Sequence, residues 1–240
     1  MELIAIVGKK RCGKDTAKQI ISDIFGEDKV CSYMLSYPIK EALDYSYNIL
    51  GIKHQSYVNL TFDDIDGTTS YDRESPLLIS NKHAVDIACR ALDYLKDFDG
   101  LINKNKDDNR SFVAKIEDVV AKNKDTWSVR RLMQCIGTDI IVNTIDAQFF
   151  NRRLMDTYLD KFDNGAYSKF IVTDIRQEHE IKLARSIGAT IIHINRDINN
   201  STDSHSTEGG LKALDNEIII DNNGTLEEFK ENLSKYFKGN

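Results

Sequence analysis

Near its amino terminus the chain carries Gly8-Lys9-Lys10-Arg11-Cys12-Gly13-Lys14, in which a glycine is followed by four residues and then glycine and lysine. This spacing serves phosphate chemistry. The glycines let the backbone curl until its N–H groups face phosphate oxygens. A helix start behind the loop adds partial positive charge, and Lys14 brings an ammonium to the transferred group. Gly8, Arg11, Gly13, Lys14, Asp15 and Thr16 are therefore the expected contacts to a nucleotide's phosphates. The usual pattern has Ser or Thr after the lysine as a magnesium ligand, whereas here Asp15 follows and the hydroxyl comes one residue later, as Thr16. Asp15 reads either as a carboxylate that holds magnesium, directly or through water, or as an acidic residue favoured by the helix dipole. Thr16 could reach the α-phosphate.

Two further groups of residues could complete such a site. In Trp127-Ser128-Val129-Arg130-Arg131-Leu132-Met133-Gln134-Cys135-Ile136-Gly137-Thr138-Asp139, Arg130 and Gln134 share a face if the segment is helical. That stripe suits a monophosphate and a base edge. On the residues alone, an ordinary amphipathic helix closed by Gly137 is the plainer reading. In Phe170-Ile171-Val172-Thr173-Asp174-Ile175-Arg176, an apolar strand runs out into an acid and a base. In open α/β sheets the ligand crevice lies at this end of the strands. Arg176 would neutralise charge developing during transfer and Asp174 would order magnesium-bound water; the competing reading is an ion pair with a neighbouring helix. Arg73, in Tyr71-Asp72-Arg73-Glu74, and Lys40 are each either a substrate-phosphate contact or an ordinary surface charge.

Other motifs fail on spacing. Aligning Asp63-Asp64-Ile65-Asp66-Gly67 with a calcium loop puts Phe62 at the first ligand position and Arg73 at the twelfth, which excludes it. His54, His83, His179, His193 and His205 form no metal spacing. Cys12, Cys31, Cys89 and Cys135 are too scattered for a disulfide framework or zinc site.

The elements that would position these residues follow from hydrophobic period. Glu2 to Val7 is a short β-branched run, and from Lys14 to Phe25 apolar residues fall at helical spacing. Val30 to Leu35 reads as a strand, and Ile39 to Leu50 as a helix begun by Pro38. Gly51 to Ser80 is polar and without period, an insertion or a lid. Helical patterns fill Asn81 to Phe162, broken by a solvated stretch from Lys104 to Arg110. Three strands, Lys169 to Thr173, Thr190 to Ile194 and Glu217 to Ile220, are separated by a helix over Gln177 to Ile187 and by a polar segment, Asp197 to Ser206. A last helix starts at Leu226. Apolar strands alternating with helices predict an α/β fold, a parallel sheet covered on both faces.

Composition bounds the partners. The 240 residues carry 32 Lys and Arg against 38 Asp and Glu, a net charge of −6. This argues against general affinity for nucleic-acid backbones or anionic membranes, so any bound phosphate needs a local basic pocket. With no bilayer-length apolar run and no signal-peptide pattern, the chain reads as soluble and intracellular, one compact domain.

Taken together, these blocks resemble the deoxynucleoside monophosphate kinases of large tailed bacteriophages, in the nucleoside monophosphate kinase branch of the phosphate-loop fold. The resemblance rests on the loop ending Gly13-Lys14-Asp15-Thr16, Pro38-Ile39-Lys40, Tyr71-Asp72-Arg73-Glu74, the Trp127 to Asp139 block, Asp174-Ile175-Arg176-Gln177 with His179-Glu180, Gly188-Ala189-Thr190, and Thr207-Glu208 with Gly210-Leu211. It accounts for Asp15, because family members carry Gly-Lys-Asp-Thr. It implies a three-layer fold on a five-stranded parallel sheet; from the residues, 51–126 reads as an insertion or substrate region, and Asp197 to Leu211 and Gly51 to Ser80 are the candidates for a lid. It also implies ATP as phosphoryl donor, magnesium, a deoxynucleoside 5′-monophosphate as acceptor, a homodimer, and the host cytoplasm as the location of a phage-encoded enzyme. Lys14, Arg130, Arg176 and Asp174 would then be catalytic, with Asp15 on the metal. Lys40, Arg73, Trp127, Arg130, Arg131, Gln134, Gly137 and Thr138 would take the acceptor. Which of Arg130 and Arg131 faces it depends on a helix rotation of one residue. Whether Asn143 touches substrate stays open, since some related kinases carry arginine near that point, and Arg196 and Asn222, after the last two strands, are candidates for adenine. Two alternatives stay open at this level: another small phosphorylated acceptor, phosphomevalonate or dephospho-coenzyme A, and a non-catalytic nucleotide-binding role.

Overall fold

A computed structural model describes residues 1–9, 11–49, 59–95, 112–197 and 211–238. The chain packs as two compact units, Met1–Leu35 with Phe150–Asn240, and Ser36–Phe149.

The first unit is built on five strands, β1 (Glu2–Val7), β2 (Val30–Tyr33), β3 (Lys169–Ile175), β4 (Thr190–Asn195) and β5 (Ile218–Asp221). All neighbours are parallel, in the order β2-β3-β1-β4-β5. β1 lies at the centre, buried on both faces, which is why its sequence is continuously apolar instead of alternating. On one face Ile4, Ile6, Ile171, Ile192 and Ile194 pack against Ala17, Ile20 and Ile21 of helix α1 (Lys14–Phe25) and Phe229 and Leu233 of the last helix, Leu226–Lys238. On the other, the Phe170 ring meets Tyr158 edge-on at 5.4 Å, and the Tyr158 hydroxyl donates to the Met1 carbonyl at 2.9 Å. Helices on both faces of a parallel sheet make three layers.

β3 runs on to Ile175, so Asp174 is the penultimate strand residue and not a residue beyond the strand. Between Ala5↔Val172 and Val7↔Ile175, β3 spends one residue more than β1. Such bulges bend a strand and re-aim its side chains. β2 ends at Tyr33, two residues short of the expected Leu35.

The second unit is helical. α2 (Tyr37–Ile49) buries Ile39, Ala42, Leu43 and Tyr47 and packs on α4 (Asn81–Leu95), which buries Ala84, Ile87, Ala88, Ala91, Leu92 and Leu95. Both sets follow the three-and-four spacing of an apolar helix face. Between them lies the short α3 (Phe62–Asp66), started by a capping box between Thr61 and Asp64 and stopped by Gly67 at φ 87°. After α5 (Phe112–Ala121) comes α6 (Val129–Gln134), which continues directly into a π-helix, Cys135–Ile145. Gly137 is therefore a buried helical residue and not the end of a helix. The division between the units falls at the head of α7 (Phe149–Asp163). Residues 51–58 of the expected insertion, Lys104 to Arg110, and 198–210 of the expected lid lie outside the described residues. No helix among the described residues is long and apolar enough to cross a membrane.

Candidate active site

In the first unit β1 delivers the chain into the glycine loop, and α1 starts at Lys14. Two glycines are required by geometry. A Cβ on Gly8 would meet the Cys12 Sγ at 2.5 Å and the Ile194 carbonyl at 2.8 Å. Gly13 sits at φ 105°, and a Cβ there would collide with the Asn222 side-chain amide. Arg11, at φ 62°, is the one non-glycine residue in the left-handed region among the described residues. Successive left-handed turns of this kind point backbone N–H groups toward a common anion.

The buried Lys14 ammonium donates to the carbonyls of Gly8 at 2.7 Å and Lys9 at 2.6 Å, tethering it to the loop. Burial pushes its pKa down; the Arg176 guanidinium adds to that shift, and Asp15 and Asp174 oppose it. Lys14, Asp15, Asp174 and Arg176 thus share one electrostatic neighbourhood at the carboxyl ends of the strands, where ligands bind in open α/β sheets. Asp15 and Thr16 are exposed in the first turn of α1. Asp174 is buried, with its Oδ1 accepting the Leu35 N–H at 2.6 Å.

Asp15 and Asp174 are hard oxygen donors of the kind magnesium takes. Among the described residues no group of three or more acidic, His or Cys side chains is arranged to hold a metal. In phosphoryl-transfer sites magnesium is usually held by one or two carboxylates together with nucleotide oxygens and water.

Asn222, a candidate for adenine, is buried after β5, where its Nδ2 donates to the Cys12 carbonyl at 2.7 Å. It fastens the glycine loop to the far edge of the sheet. Arg196 is exposed. Glu180 carries no assigned role in the sequence reading. It lies in the first turn of α8 (Glu178–Ser186), and burial pushes its carboxyl up to about 7 although two backbone N–H groups pull the other way. Its sequence signal was the Gln177-x-x-Glu180 capping box.

The second unit gathers another set. Lys40, buried in the first turn of α2, pairs with Asp66 at 2.6 Å. Arg73 donates through one terminal nitrogen to the carbonyls of Ile65 at 3.2 Å and Asp66 at 3.1 Å. The Arg130 N–H donates to the Arg73 carbonyl at 2.9 Å, and the Arg130 side chain pairs with Glu74 at 3.2 Å. Lys40, Arg73 and Arg130 are thus linked through two ion pairs, Lys40–Asp66 and Arg130–Glu74, and through backbone carbonyls at Asp66 and Arg73.

Arg131 points elsewhere, to Asn123 at 2.9 Å and Asp139 at 3.0 Å. An eight-residue separation suits that pair because the wider π-turn brings Asp139 back over Arg131. Trp127 is buried, and its indole N–H donates to Asn81 at 2.8 Å. Gly137 and Thr138 are buried in the π-helix, Gln134 is half-buried at its start, and Asn143 is exposed.

The sequence of this chain matches the family model for deoxynucleotide monophosphate kinase over residues 2–233. It is 38% identical over 245 residues to the deoxynucleotide monophosphate kinase of Enterobacteria phage T4, covering 99% of both chains. The protein of the same description from Escherichia phage RB69 is 33% identical over 249 residues, covering 99% of this chain and all of that one. A protein of Acanthamoeba polyphaga mimivirus, described as a putative deoxynucleotide monophosphate kinase, is 26% identical over 116 residues, 44% of this chain and 60% of its own length. With a parallel five-stranded sheet that leads from its central strand into a glycine loop and Lys14, and with sequence likeness along its whole length, the chain belongs to the deoxynucleotide monophosphate kinase family.

Proposed function

We propose that the protein transfers the γ-phosphoryl of ATP to deoxynucleoside 5′-monophosphates, giving ADP and the deoxynucleoside diphosphates used for DNA synthesis. The observation that carries this reading is the glycine loop with Lys14 tethered to it, in one electrostatic neighbourhood with Asp15, Asp174 and Arg176.

An acceptor phosphate oxygen attacks the γ-phosphorus in line, its bond forms as the bond to the β–γ bridging oxygen breaks, and ADP leaves. Such a reaction needs positioning and charge neutralisation, and no protein nucleophile. Gly8, Arg11 and Gly13 shape the loop that holds the phosphates, and Thr16 adds a hydroxyl. Lys14 neutralises charge on the β/γ-oxygens and Arg176 the charge that develops in the transition state. Magnesium would be held through Asp15, with Asp174 ordering its water, and would supply further neutralisation of the triphosphate.

Lys40, Arg73 and Arg130 are assigned to the acceptor phosphate, with Gln134, Gly137 and Thr138 on the base side. Asp66 and Glu74 hold those cations ready in the meantime. Arg131 and Trp127 are assigned to holding the helices from which Arg130 projects. In this proposal the protein works as a homodimer in the host cytoplasm.

The test is ADP formation from ATP and magnesium with each common deoxynucleoside and ribonucleoside monophosphate, run beside phosphomevalonate and dephospho-coenzyme A. Turnover with one or more deoxynucleotides is expected. Silence with every nucleotide while ATP still binds would overturn the assignment.

A further inference from the structure

The turn that carries Arg176 from β3 into α8 is held from beneath by one buried oxygen. The Glu180 Oε2 accepts the backbone N–H of Arg176 at 2.8 Å and that of Gln177 at 2.9 Å. The second bond is the reach of a third-position carboxylate back to the N-cap N–H, as in a capping box. Capping does not account for the first bond, which lies one residue further out. Nor does it account for the burial, since a capping carboxylate works at the surface while the Glu180 residue is only 6% exposed. At the other side of the turn Asp174 is fixed by the Leu35 N–H. The turn is thus held at both residues assigned to the phosphates and the metal's water, at Arg176 through its backbone N–H and at Asp174 through its side-chain carboxylate.

We propose that Glu180 is a positioning residue for phosphoryl transfer: by taking the N–H groups of Arg176 and Gln177 on one oxygen, it fixes the backbone of Arg176 and so sets where the guanidinium points. The inference rests on Arg176 contacting the transferred phosphate, as assigned above. Because the same oxygen takes both bonds, an amide oxygen in its place can do so too, whereas a side chain without an acceptor cannot. Displacement of a catalytic group by about 1 Å costs around 100-fold in rate.

The experiment compares E180M, E180Q, R176A and the double variant R176A/E180M in acceptor-dependent ADP formation, together with amide exchange at Arg176 in the wild type and the single Glu180 variants. The Arg176 amide is expected to be protected in the wild type and in E180Q. In E180M that protection is lost and kcat falls roughly 10- to 100-fold, with KM for both nucleotides within about threefold. E180Q keeps at least about a third of the wild-type kcat, and the double variant is no slower than R176A alone, because a displaced guanidinium cannot matter once it is absent. A residue that only stabilised the fold would give multiplying losses. Multiplying losses, an E180Q as slow as E180M, or an unprotected Arg176 amide in the wild type would each overturn the proposal; the last measurement needs no variant to fold. A near-normal R176A would instead overturn the assignment of Arg176 itself, on which this inference depends.

Discussion

Gly13→Ala probes the phosphate loop and its anchor together. At φ 105° an alanine sits in strained backbone, which costs about 1–3 kcal/mol. Its Cβ also takes the space of the Asn222 amide, so the bond to the Cys12 carbonyl goes and a buried acceptor is left unpaired, costing about another 1–3 kcal/mol. The single variant should therefore lose about 2–6 kcal/mol. Asn222→Ala loses only the bond, about 1–3 kcal/mol. With Asn222 already truncated, the space is open and that bond is gone, so adding Gly13→Ala should cost only the backbone strain. The two substitutions are then sub-additive by the worth of one bond, about 1–3 kcal/mol. Urea unfolding of the four proteins, followed by far-UV circular dichroism, reads the cycle directly from midpoints if the slopes stay constant. Additivity to within about 0.5 kcal/mol would refute the reasoning, because it would mean that Gly13 and Asn222 do not compete for one space.

Lys14→Ala should lower turnover about 100- to 1,000-fold, the loss of one transition-state contact worth about 2.7–4 kcal/mol, with an unchanged circular dichroism spectrum; near-normal turnover would sink the mechanism. Arg130→Ala should raise the acceptor KM tenfold or more, whereas Arg131→Ala should lower the unfolding midpoint and leave that KM within about threefold, and the reverse pattern would exchange their roles. The Glu217 side chain is only 3% exposed, bonded twice by the Arg185 guanidinium at 2.7 and 3.0 Å and once by His193 at 2.8 Å. Chiefly through Arg185, its carboxyl is held down from about 4.5 to about 2. A depressed acid contributes stability that is complete above its unfolded value and disappears as pH falls through the folded one. Glu217→Gln should therefore cost about 1.5–3 kcal/mol at pH 7, and the gap to wild type should close between about pH 4.5 and 2; a constant gap would contradict the assignment.

Much of the fold was legible because burial on both faces writes itself into sequence. β1 is a continuous apolar run, β3 and β4 are mostly apolar, and the helices α1 and α4 show their buried faces at every third or fourth residue. The strand-loop-helix setting of Gly8 to Lys14 was legible for the same reason. Partners at long range were not. Nothing local ties Asn222 to Cys12, so its place after β5 could suggest a base contact without revealing that its amide holds the loop. Nor does hydrophobic period report that the helix at Gln134 widens into π-turns and passes through Gly137, which a cap rule takes for an end. The one-residue bulge beside Asp174 is set by pairing with β1, far away in sequence, and so left no mark on the β3 run itself. Glu180 announced a cap, but its burial beneath Arg176 became visible only with the strand in place.

The division of the chain has a consequence for synthesis. Residues 36–149 form one continuous stretch, whereas the sheet is discontinuous: β1 and β2 are made first, and β3, which pairs with both, comes only after that stretch. At roughly 5–20 residues per second on a ribosome, β1, the most apolar strand of the molecule, waits several seconds or more for its neighbours. During that interval the helical unit can already complete itself from local contacts, the faster kind to form. The central strand of the phosphate-binding sheet thus emerges well before the two strands that flank it, which leaves Glu2–Val7 in need of protection on the nascent chain.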